Sequence, residues 1–174
     1  MGESRRPSTS IVRFTTDLSD GELRAIAHFL KSLPGSAGEA SFSYDDAVAA
    51  ALISGNISVR GALDYLNNCA ACHRSSGKGY AQTFPSLAGN PVVNGGDPTS
   101  LINIVLNGGT IPPTDRAPTR FSMPPFRERL TDEQVSEILT FIRSSWGNRA
   151  SAVNLARVAG LRQATREPAS MQAQ

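Results

Sequence analysis

Cys69-Ala70-Ala71-Cys72-His73 is the stretch of sequence that decides the fold. Its two cysteines lie three positions apart, which puts both sulfurs on the same side of one helical turn. The histidine follows directly, so a single short helix offers two thiols and an imidazole to one bound group. The chain contains no other cysteine. This Cys-x-x-Cys-His pattern is typical of c-type haem attachment, and it predicts Cys69 and Cys72 as the anchors and His73 as an iron ligand.

Three other interpretations of the motif stay open. A structural zinc site needs four ligands, but the chain offers only two Cys and two His, and His28 lies far upstream. A thioredoxin-like dithiol belongs in a βαβ context, and no strand pattern flanks the motif. A five-residue pattern with three fixed positions also arises by chance. The rest of the sequence bears on the choice between these interpretations and a haem.

Composition narrows the class of protein. The chain has 174 residues, enough for one domain with extensions. Its formal net charge is only +2, so we expect no nucleic-acid partner. Four arginines near the C-terminus indicate a solvated face or tail: Arg149, Arg157, Arg162 and Arg166. The 15 glycines and 11 prolines suit a loop-rich helical domain completed by a large cofactor, and no long apolar run encodes a transmembrane helix.

Hydrophobic periodicity predicts helices and no convincing strand. The first amphipathic helix covers 18–33, with Ser19 as N-cap and Glu22 completing a capping box. His28 falls off the apolar stripe of this helix and is expected at the surface. The clearest helix covers 131–146, where Thr131 and Gln134 form a second capping box. Weaker patterns predict helices at 45–53, 58–68 and 99–106, and a proline-rich loop at 111–126.

An iron with one histidine ligand needs a sixth ligand if it is to shuttle electrons without binding small molecules. A methionine thioether favours ferrous iron and raises the reduction potential. Met1 is a start residue and Met171 lies in a polar tail, which leaves Met123. Most methionines are core fillers. Here the rigid Pro124-Pro125 pair and the position just before the last helix favour Met123 as the ligand.

With these residues in place, the chain resembles the class I cytochromes c. That resemblance implies an all-α fold of short helices and loops wrapped around one covalently bound haem, here with an N-terminal helical extension. Gly61 and Tyr65 match the Gly-x-x-x-aromatic helix that opens such domains, and Phe141 is expected to pack against them. Pro85 matches the proline whose carbonyl binds the haem-ligating histidine, here His73, which would orient the imidazole.

The resemblance can be narrowed by three segments, which cover 84–91, 123–126 and 143–148. They are similar to the last haem domain in the three-haem cytochrome subunit of membrane-bound bacterial alcohol, gluconate, sorbitol and aldehyde dehydrogenases. This implies a closing helix of a preceding haem domain at 1–35, a linker with a short helix at 36–57, a cytochrome c domain at 58–150 and a C-terminal tail at 151–174. Because no second haem motif and no signal peptide are present, we expect a piece of a longer parent chain.

The function implied by the resemblance is electron transfer, with no catalytic residues of the chain's own. Electrons would come from a dehydrogenase catalytic subunit through other haem domains and leave toward a quinone or a terminal oxidase. The protein would be located on the periplasmic side of the bacterial inner membrane, to which it would be attached peripherally.

Arg120 is a candidate partner for a haem propionate. Candidate pocket residues are Tyr80, Phe84, Leu87, Ile102, Leu106, Phe121 and Phe126.

Two alternatives belong to other classes. If Met123 does not bind iron, the open site would support peroxidase-like chemistry, although no second histidine is placed as a distal acid or base. A thiol–disulfide oxidoreductase would carry two titratable thiols and no pigment. The substrate of any partner dehydrogenase would be set by another chain.

Overall fold

The computed structural model describes residues 18–34, 42–81, 83–111 and 119–165. Over these ranges the chain is mostly helical, which confirms the predicted all-α class. The helices are α1 (Asp20–Ser32), α2 (Ala47–Ile53), α3 (Ala62–Asn68), α4 (Ala70–His73), α5 (Pro91–Asn94), α6 (Thr99–Asn107), α7 (Asp132–Ser144) and α8 (Leu155–Ala164). Two three-residue strands pair, β1 (Gly109–Ile111) and β2 (Phe121–Met123). The expectation of no strand was wrong, because segments this short carry no readable alternation.

The contacts divide the chain into two units. One holds α1 and the described part of residues 110–122, and the other holds 42–109 and 123–165 without residue 82. The second unit contains the Cys-x-x-Cys-His motif and the hydrophobic core. Met1, Met171, Arg166, residues 36–41 of the predicted linker and residues 112–118 of the proline-rich loop lie outside the described residues.

Both predicted capping boxes are present. The Ser19 hydroxyl accepts from the Glu22 backbone N–H, and the Thr131 hydroxyl accepts from that of Gln134. In each box the N3 side chain accepts in return from the N–H of the capping residue. These bonds satisfy backbone donors that the first helical turn leaves free, so both helices begin where the sequence predicts.

The helices α1 and α7 share one pattern but differ in burial. Apolar residues occupy the same positions relative to the two caps, in the pairs Leu23/Val135, Ile26/Ile138, Phe29/Phe141 and Leu30/Ile142. In α7 these side chains are at most 5% exposed, whereas in α1 they are 38–62% exposed. The two helices therefore present similar apolar faces, and only that of α7 is covered in the described structure.

The α7 face is covered by α3, which crosses it at Gly61. A Cβ atom at Gly61 would lie only 2.3 Å from the Glu137 carbonyl oxygen, so glycine is needed for this close approach. Gly61 also has φ of 81°, a left-handed conformation that starts α3 at Ala62 and not at the predicted Ser58. Tyr65 then reaches Phe141, with ring centroids 5.4 Å apart, which confirms the expected contact.

The segment interpreted as a tail contains a helix. Residues 155–164 form α8, which packs against α6 and α7 and buries Val158 completely. Arg162 belongs to this contact and is only partly exposed, so the assignment of all four C-terminal arginines to a solvated surface was wrong. No helix in the described ranges is long and apolar enough to span a bilayer.

Phe141 and Phe29 provide a matched test of the two apolar faces. We expect Phe141→Ala to lower the free energy of unfolding by about 3–5 kcal/mol, because it opens a cavity in the core. Phe29→Ala removes the same side chain from the same helical register on the exposed face, and its effect should stay within about 0.5 kcal/mol. Urea unfolding of the purified chain, followed by helical circular dichroism, measures both values. Equal losses would contradict the difference in burial.

Candidate functional site

The haem motif forms one tight turn of helix. Cys69 ends α3 and caps α4, and the His73 N–H donates to the Cys69 carbonyl at 3.0 Å. Both cysteines are partly buried and form no disulfide. His73 ends α4 and is buried. Cys69, Cys72 and His73 therefore lie within five consecutive residues, at the cap and along a single helical turn.

The orientation of the His73 ring is fixed by Pro85. The Nδ1 atom of His73 lies 3.0 Å from the Pro85 carbonyl oxygen, so the hydrogen bond implied by the resemblance is present. A carbonyl only accepts, so Nδ1 must carry the hydrogen and Nε2 keeps the lone pair that can bind a metal. Burial lowers the pKa of His73, and the bond to Pro85 opposes part of that shift. The lowered pKa favours the neutral imidazole, which is the ligating form.

The loop that carries Pro85 folds back onto the motif. The Gly79 N–H donates to the His73 carbonyl at 3.0 Å, and the Leu87 N–H donates to the Gly77 carbonyl at 2.7 Å. Gly79 lies so close to this loop that a Cβ atom there would be 2.3 Å from the Phe84 carbonyl oxygen. Backbone contacts thus hold Pro85 beside His73.

Three aromatic side chains donate hydrogen bonds to three consecutive carbonyls after His73. Tyr65 Oη donates to the Arg74 carbonyl at 2.7 Å, Trp146 Nε1 to that of Ser75 at 3.0 Å, and Tyr44 Oη to that of Ser76 at 3.1 Å. Arg74 itself has φ of 63° and ψ of 160°, a region that non-glycine residues rarely adopt. Such a conformation persists only where the surroundings impose it. These three donors supply that constraint.

The aromatic rings behind these donors form a cluster. Tyr65, Phe141 and Trp146 have pairwise centroid distances of 5.2–5.7 Å, and Trp146 is completely buried. The sequence pattern predicted a last helix that includes Trp146. The structure ends α7 at Ser144, and Trp146 takes φ of 57°, which turns its indole into the core. Gly147, which follows it, was the available signal for the helix end.

Asn148 is a further site residue, whose role was not predicted from the sequence. Its Oδ1 accepts from Gly89 N and Asn94 Nδ2, both at 2.9 Å, and its Nδ2 donates to the carbonyls of Leu87 and Ile142. The amide is only 3% exposed, so all its polar capacity is used inside the protein. Asn148 therefore ties the end of the Pro85 loop to the end of α7. No local pattern marks an asparagine for such a role.

Met123 ends β2, is partly buried, and packs against the same core cluster as Cys69. Its backbone lies directly on Gly108, where a Cβ atom would come 2.5 Å from the Met123 carbonyl oxygen. The Phe126 N–H donates to the Val105 carbonyl at 2.9 Å, which fixes the segment after Met123 on the end of α6. The structure thus brings Met123 and the haem motif into one compact unit.

The predicted pocket residues differ in burial. Ile102, Leu106 and Phe126 are buried, and Phe84, Leu87 and Phe121 are partly buried. Tyr80 is exposed, and the Arg74 guanidinium lies 5.3 Å from its ring centroid. Arg120 is exposed, and so is His28, as expected for a surface histidine.

The structure also bears on the competing interpretations of the motif. The described ranges contain no group of three or more His, Cys, Asp or Glu side chains that could hold a metal ion. Burial raises the pKa of Cys69 to about 12, with smaller contributions from Asp64 and Cys72. Catalytic dithiols need the opposite shift, because the thiolate is the nucleophile. The motif is therefore poorly suited to thiol–disulfide exchange.

Comparisons with known proteins agree with this geometry. The cytochrome c family matches residues 58–146. A gluconate 2-dehydrogenase cytochrome c subunit from Pantoea cypripedii is 48% identical over 148 residues, covering 83% of this chain and 34% of the relative. An alcohol dehydrogenase (quinone) cytochrome c subunit from Gluconacetobacter polyoxogenes is 45% identical over 143 residues, covering 80% and 31%. A fructose dehydrogenase cytochrome subunit from Gluconobacter japonicus is 32% identical over 159 residues, covering 79% and 32%. This chain spans about a third of the length of these relatives.

Tyr65 and Tyr44 allow the carbonyl contacts to be tested. Tyr65→Phe removes the donor to the Arg74 carbonyl, and because Tyr65 is fully buried we expect a loss of about 1–3 kcal/mol in unfolding free energy. Tyr44→Phe removes the equivalent donor at a partly exposed position, where water can replace the hydroxyl, so its loss should be clearly smaller. Urea titration of both variants gives the comparison. A Tyr65→Phe variant as stable as the unmodified chain would show that the bond does not constrain Arg74.

Proposed function

The chain belongs to the cytochrome c family, and from this premise we propose that it transfers electrons through one covalent haem held by His73 and Met123. A cytochrome c domain implies a covalently bound c-type haem, a group that takes up and releases one electron at its iron. The relatives are cytochrome subunits of dehydrogenases, which makes this chain an electron-transfer component and not the catalytic one.

The residues present fit this group. Cys69 and Cys72 supply two sulfurs from one helical turn, His73 offers Nε2, and Met123 offers a thioether from the same compact unit. The hydrogen bond between His73 Nδ1 and the Pro85 carbonyl oxygen is the observation that carries the proposal. It fixes the tautomer and the ring orientation that an axial ligand needs.

Each of these residues has a distinct role in the proposal. Cys69 and Cys72 would anchor the haem through thioether bonds. The Pro85 carbonyl oxygen accepts a hydrogen bond from Nδ1–H of His73, which makes the imidazole a stronger donor to a metal. Met123 would supply the second protein ligand to the iron, a thioether that favours the reduced state. The buried side chains of Ile102, Leu106 and Phe126 provide apolar surroundings that disfavour the extra charge of the oxidised state.

The partners are proposed from the names of the relatives. Electrons would enter from a dehydrogenase catalytic subunit through other haem domains and leave toward a quinone or a terminal oxidase. Because c-type haem is attached outside the bacterial cytoplasmic membrane, the proposed place is the periplasmic face of that membrane, with peripheral attachment. The substrate of the dehydrogenase would be determined by its catalytic subunit.

The two capped helices support a further part of the proposal, namely that α1 closes a second domain of the same kind. The apolar face of α1 matches the face of α7 that packs on α3, and it is exposed. Its partner would be a helix with a glycine at the crossing point and an aromatic residue four positions later, as at Gly61 and Tyr65. In a longer protein that supplies this helix, Phe29→Ala should become as destabilising as Phe141→Ala.

Covalent attachment is tested by replacing both cysteines. We expect the matured chain to carry one haem that resists acid–acetone extraction, with a mass equal to polypeptide plus one haem. Cys69→Ala together with Cys72→Ala should lose all of the retained pigment, because no other cysteine exists in the chain. A control with Ala70→Ser and Ala71→Ser should keep it. Colourless matured protein would overturn the proposal.

The axial role of Met123 is tested by Met123→Ala. Loss of the thioether should lower the reduction potential by on the order of 0.1 V or more, since axial ligands set potentials over a wide range. It should also allow carbon monoxide to bind the reduced variant, whereas the unmodified reduced protein should not bind carbon monoxide. Redox titration and the carbon monoxide difference spectrum measure the two effects. Carbon monoxide binding to the unmodified protein would instead favour the open-site alternative.

A further inference from the structure

We infer that Arg162 of α8 is a positioning residue, which holds the Met123–Arg127 segment in place and so keeps Met123 available to the iron. This inference rests on the proposed ligation by Met123. The observations that carry it are the contacts of two arginines, Arg127 and Arg162, that join α8 to the start of α7 and the end of α6.

The segment after Met123 is anchored on α6 by backbone contacts. The N–H groups of Phe126 and Arg127 donate to the carbonyls of Val105 and Leu106, at 2.9 and 3.2 Å. These carbonyls belong to the last turn of α6, where no intrahelical donor remains for them. Movement of residues 126 and 127 away from α6 would break these two bonds.

The Arg127 side chain extends the anchor to α8. Its guanidinium donates to Asn107 Oδ1 at 2.8 Å, to the Arg162 carbonyl at 2.8 Å, and to the Thr165 hydroxyl. One side chain thus joins the end of α6 to the last residues of α8. The segment that begins at Met123 is therefore bound at Arg127 both to α6 and to α8.

Arg162 in turn binds the segment that contains Arg127. Its guanidinium donates to the carbonyl of Arg127 and to that of Leu130, the latter at 2.9 Å, and pairs with Asp132 Oδ1 at 2.5 Å. The side chains of Arg162 and Asp132 are only 15% and 26% exposed. Arg162 therefore binds the turn at residues 127–130, which lies between Met123 and α7, through the carbonyls at both of its ends. It also binds Asp132, the first residue of α7.

The two arginines form a reciprocal clasp, since each donates to the backbone carbonyl of the other. Without Arg162, the carbonyls of Arg127 and Leu130 lose a donor and the Asp132 carboxylate loses its partner. The 123–127 segment then keeps its contacts with α6 and the bonds of the Arg127 side chain to the residue-162 carbonyl and Thr165, but loses the bond to the Arg127 carbonyl. Opening of this segment would carry Met123 away from its place while the core around Trp146 stays intact.

Arg157 provides a control on the same helix. It pairs with Asp97 at 3.3 Å and donates to the Thr99 hydroxyl at 2.7 Å, so it joins α8 to the opposite end of α6. Arg157→Ala removes one arginine and one ion pair from α8 without touching residues 123–132. A second variant, Arg162→Lys, keeps a positive charge beside Asp132 but cannot donate to both carbonyls and the carboxylate in the planar arrangement of arginine.

The experiment uses the haem-bearing full chain and compares Arg162→Ala, Arg162→Lys, Arg157→Ala and Met123→Ala. Readouts are the far-red absorption band of a methionine–iron bond, the reduction potential, and the rate of carbon monoxide binding to the reduced protein. Loss of partly buried, charge-assisted hydrogen bonds should raise the opened fraction roughly ten- to hundredfold. We expect carbon monoxide to bind Arg162→Ala faster by about that factor, Arg162→Lys by less, and Arg157→Ala at the unmodified rate.

The outcomes separate this inference from the proposed function. Arg162→Ala with an unchanged band, potential and carbon monoxide rate would overturn the positioning role while Met123→Ala still supports axial ligation. Equal changes in Arg162→Ala and Arg157→Ala would also overturn it, since α8 would then act only through general stability, which urea unfolding reports. No effect of Met123→Ala would overturn the axial assignment, and the positioning role with it.

Discussion

The hydrogen bond between His73 Nδ1 and the Pro85 carbonyl oxygen is the contact on which the remaining site geometry depends. A free imidazole can present either nitrogen and can rotate about two side-chain bonds. A carbonyl acceptor selects one tautomer and one ring orientation together. For this bond to exist, the Pro85 loop must return to the motif twelve residues after His73. Most of the contacts described around the site serve to bring that loop back.

The loop is held mainly by backbone groups and by side chains that donate to carbonyls. Tyr65, Trp146 and Tyr44 bind three successive carbonyls after His73, and Asn148 fastens the far end of the loop. Trp146 and Asn148 follow α7, so the same helix that packs on α3 also delivers two of these anchors. Core packing and the orientation of the His73 ring are thereby coupled: a displacement of α7 would move the groups that hold Pro85 beside His73.

Sequence patterns predicted the parts of the structure that local chemistry determines. The two capping boxes follow from Ser19 with Glu22 and from Thr131 with Gln134, and both form. Likewise, Cys69, Cys72 and His73 share one turn because of their spacing alone, and the resemblance placed Pro85 at the histidine. The axial role of Met123 stays a prediction, as do the domain boundaries.

Features that depend on distant contacts were not predictable in the same way. The helix α8 has an irregular apolar pattern, and its attachment comes from arginines that bind carbonyls elsewhere in the chain. An arginine in such a sequence looks the same whether it faces water or a buried carbonyl. Trp146 continues the helical periodicity of α7, and only the backbone turn at φ of 57° takes it out of the helix. The two short strands carry too few residues for a period to be seen.

The clasp between Arg127 and Arg162 has a consequence for behaviour in electrolyte. Among the acceptors that the two guanidinium groups use within the described ranges, Asp132 is the only charged one; the others are carbonyl, amide and hydroxyl oxygens. Mobile ions screen attraction between full charges far more than they weaken short bonds to neutral dipoles. Contact with an oppositely charged protein surface, or a rise in ionic strength, would therefore leave this junction closed. The domain could meet and release charged partners without loosening the segment that bears Met123.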